Sequence, residues 1–204
     1  MRLALALSLA GTLSAHRLDE YLQATLISIE PESVRFEITL TPGVGVAKVI
    51  LAMIDTDSDG QLSSLEQQAY ARKALDSMAL EFDGAKLQLT LDESIFPDTQ
   101  LIRDGLGAIR LTARVSLPPS WRFAHNLHFT NRHASSIAAY LVNCLAPNTD
   151  GLTIQRQTRD YLQSSIQVTY KLPNTSLLIW WLAGSAVVLL AFSARRFRSA
   201  IQSP

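Results

Sequence analysis

The residues best equipped for chemistry are the oxygen donors of one twelve-residue run, Asp55-Thr56-Asp57-Ser58-Asp59-Gly60-Gln61-Leu62-Ser63-Ser64-Leu65-Glu66. Positions 1, 3, 5, 7, 9 and 12 of the run offer the Asp55, Asp57 and Asp59 carboxylates, the Gln61 backbone carbonyl, the Ser63 hydroxyl or a water it holds, and the Glu66 carboxylate. A hard divalent cation takes about six to eight such oxygens, so this spacing predicts a Ca2+ site with Glu66 as a bidentate ligand. Gly60 stands where the chain must turn sharply through positive φ, a conformation that a Cβ resists.

Two helices must hold such a loop. Before it, Val46, Val49, Ile50, Met53 and Ile54 recur at helical spacing; after it, Leu65, Ala69, Ala74, Leu75 and Met78 do the same within Ser64 to Met78. The spacing therefore predicts a helix-loop-helix over about residues 44–79.

A second chemistry is suggested by histidine. Three of the four histidines cluster as His125, His128 and His133, but on a strand His125 and His128 point to opposite faces and cannot chelate one ion locally. His16, were it a mature N-terminus, would offer an amine and an imidazole together, a pair suited to copper or nickel, completed by a distant histidine. Transition-metal handling or sensing through His16, His125, His128 and His133 is thus the alternative to calcium. No nucleophile elbow, phosphate-binding loop, dinucleotide-binding glycine run or zincin helix occurs, so an enzyme is not expected and no catalytic residue is assigned. A hydrolase using Cys144 or His133 ranks last.

The chain ends speak to compartment. Residues 1–15 carry Arg2, an apolar run from Leu3 to Leu9, and the small residues Gly11, Thr12, Ser14 and Ala15, the pattern of a secretory signal peptide. Leu177 to Ala194 is an uncharged stretch of 18 residues, roughly 27 Å as a helix, with Trp180 and Trp181 near its start and Arg195, Arg196 and Arg198 just after it. The positive-inside rule then predicts one transmembrane helix, a cytoplasmic tail at 195–204, and residues 16–176 outside the cytoplasm. Setting aside Arg2 and those three arginines leaves 14 basic against 18 acidic residues, a net of −4 that Asp55, Asp57, Asp59 and Glu66 account for. No basic footprint for nucleic acid remains. The single cysteine, Cys144, excludes an intramolecular disulfide and reads as a buried, inert thiol in a strand.

Outside the helix pair the apolar period is two. Val34, Phe36, Ile38 and Leu40 alternate with polar residues, as do Ile109 to Leu117 and Ile166 to Tyr170; further strands are expected at Tyr21 to Glu30, Leu80 to Phe82, Lys86 to Leu91, Arg122 to Thr130, Ile137 to Leu145 and Leu152 to Gln157. Pro31-Glu32 and Asp83-Gly84 supply turn chemistry between neighbours. The fold class this predicts is mainly β with an α insertion: an antiparallel β-sandwich with the helix-loop-helix inserted into one domain, followed by the membrane helix.

The run and its flanks, Val46 to Met78, resemble the EF-hand superfamily. In that family the apolar residue at loop position 8, here Leu62, packs beside its counterpart in a second loop; this chain has no second such loop, so the resemblance implies a hand that is single or pairs between molecules. More broadly, His16-Arg-Leu-Asp-Glu-Tyr-Leu-Gln23, Leu40-Thr-Pro-Gly-Val44, Asn131-Arg-His133 and Tyr140-Leu-Val-Asn143 resemble a group of bacterial envelope proteins with a signal peptide, a β-rich domain carrying one EF-hand, and a membrane segment. Similar domains can precede multi-helix parts like those of nickel-permease accessory proteins, whereas a single anchor is expected here. The resemblance implies a single-pass inner-membrane protein facing the periplasm, which binds calcium and offers a surface to an envelope partner.

Overall fold

The computed structural model describes residues 19–118 and 124–172. The expected signal peptide, His16, the transmembrane stretch at 177–194 and the tail at 195–204 lie outside those residues. Among the described residues no helix is long and apolar enough to cross a membrane.

Alternating apolar residues become strands because period two places every second side chain on one face. β1 (Tyr21–Ile29) and β2 (Ser33–Pro42) are joined through the Glu30–Ser33 turn, where the Glu30 N–H donates to the Ser33 carbonyl. The chain then forms α1 (Val44–Ile54), a loop, and α2 (Ser64–Asp76). β3 (Met78–Phe82), β4 (Ala85–Leu87), β5 (Thr90–Ile95), a short α3 (Thr99–Arg103) and β6 (Ile109–Ser116) follow. β7 (Ala124–Asn131), β8 (Ala138–Cys144), β9 (Thr153–Arg159) and β10 (Ser165–Lys171) complete the described chain.

These strands form two five-stranded sheets, ordered β5-β6-β2-β1-β8 and β4-β3-β7-β10-β9. The mainly β architecture read from the sequence is present, with three differences. First, β1 pairs in parallel with β8, Tyr21 opposite Ala138 through Ile27 opposite Cys144, so the first sheet is not wholly antiparallel. Second, the stretch expected as one strand over Lys86 to Leu91 is divided between β4, which pairs with β3, and β5, which pairs with β6 in the other sheet. A single run of alternating residues cannot reveal where a chain leaves one sheet for the next. Third, the helix pair is the crossover itself: it leaves the end of β2 in one sheet and enters β3 in the other.

The sheets share one core. Phe36 of β2 and Phe129 of β7 meet across it with ring centroids 5.2 Å apart, among the fully buried Ile38, Leu40, Ile109, Leu111, Leu80, Ile166 and Val168. Asp83 and Gly84, with φ of 49° and 86°, make the tight turn between β3 and β4 that the Asp-Gly pair predicts. The helices bury one stripe each against the core: Val46, Ile50 and Ile54 from α1, and Tyr70, Ala71, Ala74 and Leu75 from α2. On α2 this stripe is rotated from the sequence reading, since Leu65 is 80% exposed and Tyr70 takes the inward position.

Truncating Phe36 removes the side chain that closes the inter-sheet gap. Phe36→Ala is expected to cost about 3 to 5 kcal/mol of unfolding free energy in urea titrations, with the unfolding cooperativity retained.

Candidate metal centre

The α1–α2 loop begins where α1 ends. Asp55 caps that helix, its N–H donating to the Leu51 carbonyl at 2.8 Å, so the negative end of the helix dipole faces the start of the loop. From there the chain folds around its own carboxylates. The Asp59 N–H lies 3.1 Å from Asp55 Oδ1 and 3.2 Å from Asp57 Oδ1, the Gly60 N–H donates to Asp55 Oδ2 at 3.0 Å, and the Gln61 N–H donates to Asp59 Oδ1 at 2.7 Å. Gly60 has φ of +82° and open space where a Cβ would stand, so glycine is required there by backbone conformation and not by crowding.

The result is that Asp55, Asp57 and Asp59 each bring a carboxylate oxygen within 4.8 Å of the others. At that separation each pair of negative charges repels by about 1 kcal/mol even in water. Backbone N–H donors offset part of this, and a cation would offset the rest. Asp57 and Asp59 are exposed, giving an ion open access.

Glu66 is placed differently. It is the third residue of α2, and with Ser63 it forms a capping box: Ser63 Oγ accepts from the Glu66 N–H, while Glu66 Oε2 accepts from the Ser63 N–H and hydroxyl at 2.9 and 2.8 Å. Its other oxygen accepts from the Thr56 N–H at 2.6 Å, tying the start of the loop to its end. These bonds, those to Ser63 foremost, lower the Glu66 carboxyl to about 2. Glu66 therefore clasps the loop and is not one of the three carboxylates that converge. The clasp was legible in the Ser-x-x-Glu spacing, although the sequence reading used Glu66 only as a ligand. Gln61 and Ser63 both lie exposed in the loop.

A buried polar cluster holds α2 to the sandwich. Tyr70 OH lies 2.7 Å from Tyr21 OH on β1 and 3.0 Å from His133 Nε2, just beyond β7. The His133 N–H donates to Asn131 Oδ1, Asn131 Nδ2 donates to Gln23 Oε1, and Gln23 Nε2 donates to the His133 carbonyl, each at 2.9 Å. Burial pushes Tyr70 up to about 12 and His133 down from 6.5 to about 4, the nearby Lys73 charge adding to the latter. Sequence reasoning missed Gln23 and Tyr70; the signal was a polar residue at every second position of β1 beside Tyr21 and Ile27.

The structure disperses His125, His128 and His133. His125 is fully buried, stacked on Phe82, with Nδ1 2.8 Å from Asp83 Oδ2. His128 lies on the opposite strand face beside Thr130, and His133 is committed to Tyr70. Among the described residues no group of three or more metal-ligating side chains includes a histidine. Cys144 is buried on β8, and burial pushes its thiol up to about 11, the range of an inert thiol. No protein-family model matches the chain, and the comparison with curated proteins finds no match.

Acidification should act on His133 first. A histidine whose folded value lies below its unfolded one binds protons more readily when unfolded, so stability is fully present above pH 6.5 and declines towards pH 4. The decline is worth up to roughly 3 kcal/mol, read from urea unfolding at a series of pH values without divalent cations. His133→Gln should flatten that window. It should leave the lower one, from 4.5 down to about 2, in which Glu66 loses its clasp.

Proposed function

We propose that this chain is a calcium-binding module in which the ion staples the α1–α2 loop and so stabilises the fold or a surface it presents. The observation that carries the reading is the convergence of Asp55, Asp57 and Asp59 to within 4.8 Å in a tight turn between two packed helices. Three hard anionic donors without a sulfur or imidazole favour Ca2+ or Mg2+ over copper or zinc. The remaining ligands of this reading are the Gln61 carbonyl, Ser63 and Glu66, the last exchanging its bonds to Thr56 and Ser63 for bidentate coordination. The loop's likeness to an EF-hand belongs to the same proposal.

Membrane anchoring and an extracytoplasmic setting complete the reading, and they rest on the sequence of residues 1–15 and 177–198. In such a setting a site of about 0.1 mM affinity facing about 1 mM calcium would add roughly 1.4 kcal/mol to stability, which suits a staple better than a steep switch.

Calorimetric titration of the purified full chain with calcium tests the proposal. One ion per chain is expected, with a rise in the thermal midpoint, and both effects should be lost in Asp55→Ala and strongly reduced in Glu66→Gln. Titrations identical in the parent and both variants would reject it. Glu66→Asp should weaken calcium more than magnesium, because the shorter side chain loses bidentate reach.

A further inference from the structure

Leu62 is the one apolar side chain among loop residues 55–63, and an apolar group in a polar loop must be covered by something. Its cover comes from within the chain. Leu62 is partly buried at the junction of two clusters, packing against the main core and against a small separate one made of Ala47 and Leu51 of α1 and Ile102 of α3. Its carbonyl is fixed as well, accepting from Gln67 Nε2 at 2.7 Å.

Ile102, fully buried, belongs to the connection between β5 and β6. Those strands are neighbours in one sheet and a short turn would join them; instead the chain rises to form α3 against α1. The return path is locked beneath it. The Leu106 and Gly107 N–H groups both donate to the Leu101 carbonyl, and a Cβ on Gly107 would lie 2.8 Å from Pro97 Cγ and 3.0 Å from the Leu101 carbonyl carbon. Gly105, at φ of +69°, is approached by Val44 Cγ2 in the same way, so α3 is wedged against the first turn of α1. Two glycines are thus committed to seating one short helix, and the residue that helix delivers inward completes the small cluster against which Leu62 packs.

We infer that α3 is a built-in buttress for the cation loop, with Ile102 a positioning residue that acts through Leu62 and makes the site complete within a single chain. The inference rests on the calcium reading above. Without the buttress Leu62 would lose the part of its seat that Ile102 closes, more of the loop would have to be ordered by the ion itself, and affinity would fall by that ordering cost.

Calcium titration of the full chain and three variants, run at two protein concentrations beside sedimentation, tests this. Ile102→Ala is expected to weaken calcium about tenfold while leaving one ion per chain. Ile102→Val should restore most of the affinity. Leu62→Ala, at a partly exposed position where folding is not in question, should reproduce the loss and decides the matter if Ile102→Ala does not fold. Val115→Ala, in the sandwich core, should lower stability without moving calcium affinity, which separates positioning from general destabilisation. The inference is overturned if Leu62→Ala binds as tightly as the parent, or if affinity rises with protein concentration as calcium-linked dimers form, since a second copy would then be covering Leu62. A parent chain that takes up no calcium would instead remove the functional reading itself, and the buttress role with it.

Discussion

Placing Tyr21, Gln23, Tyr70, Asn131 and His133 together under the helices obliges each of their polar atoms to find a partner inside the protein, because an unpaired buried donor or acceptor costs about 1 to 3 kcal/mol. The chain of bonds that meets this demand joins three separate elements: β1, α2 and the turn after β7. Tyr70 OH makes the two bonds that involve the helix, to Tyr21 and His133, and both would be broken if α2 slid along the sheet. The cluster therefore does what an apolar contact alone would not: it fixes where α2 sits, and with it the end of the loop that α2 begins.

From that fixed helix the loop's electrostatics follow. Ser63 and Glu66 close the N-terminus of α2, Glu66 reaches back to Thr56, and Asp55 closes the C-terminus of α1, so both loop ends are anchored before any ion is considered. The three aspartates between them have their oxygens turned inward by N–H donors of Asp59, Gly60 and Gln61. Crowding of like charge is tolerated because the backbone is already committed to it. A dication entering this arrangement would meet three aspartates already converged, while Glu66 would have to leave its bonds to Thr56 and Ser63.

Much of the fold was legible in period and turn chemistry. The alternation at Val34 to Leu40 and at Ile109 to Leu117 gave strands whose inward residues are the buried ones, and Asp83-Gly84 marked its turn. The shape of the loop was legible too: Gly60 takes positive φ where the turn was expected, and Asp55, Asp57 and Asp59 converge. The buried face of β1 was not: Leu22, Ala24 and Leu26 look like its inward set, yet Gln23 and Thr25 are buried and Leu26 is exposed. There the polar cluster overrides hydrophobicity, since Gln23 gains two buried hydrogen bonds that a leucine could not make. The second use of Glu66 went unread for a related reason, as one carboxylate can cap a helix as well as offer oxygens to an ion, and here it closes the capping box with Ser63. The β1–β8 pairing was beyond reach, because a contact between distant segments leaves no local pattern.

That pairing bears on how the molecule is made. β1 lies between β2, its immediate successor, and β8, so residues 21–27 keep one edge open until residues 138–144 have been synthesised. Loop closure over such a span is slow compared with hairpin formation, and an unpaired strand edge invites association with other chains meanwhile. The first sheet is thus finished late, when nearly all of the described chain is already available. On a nascent chain β1 and β2 can pair as a hairpin, but the outer edge of β1 stays uncovered until β8 arrives.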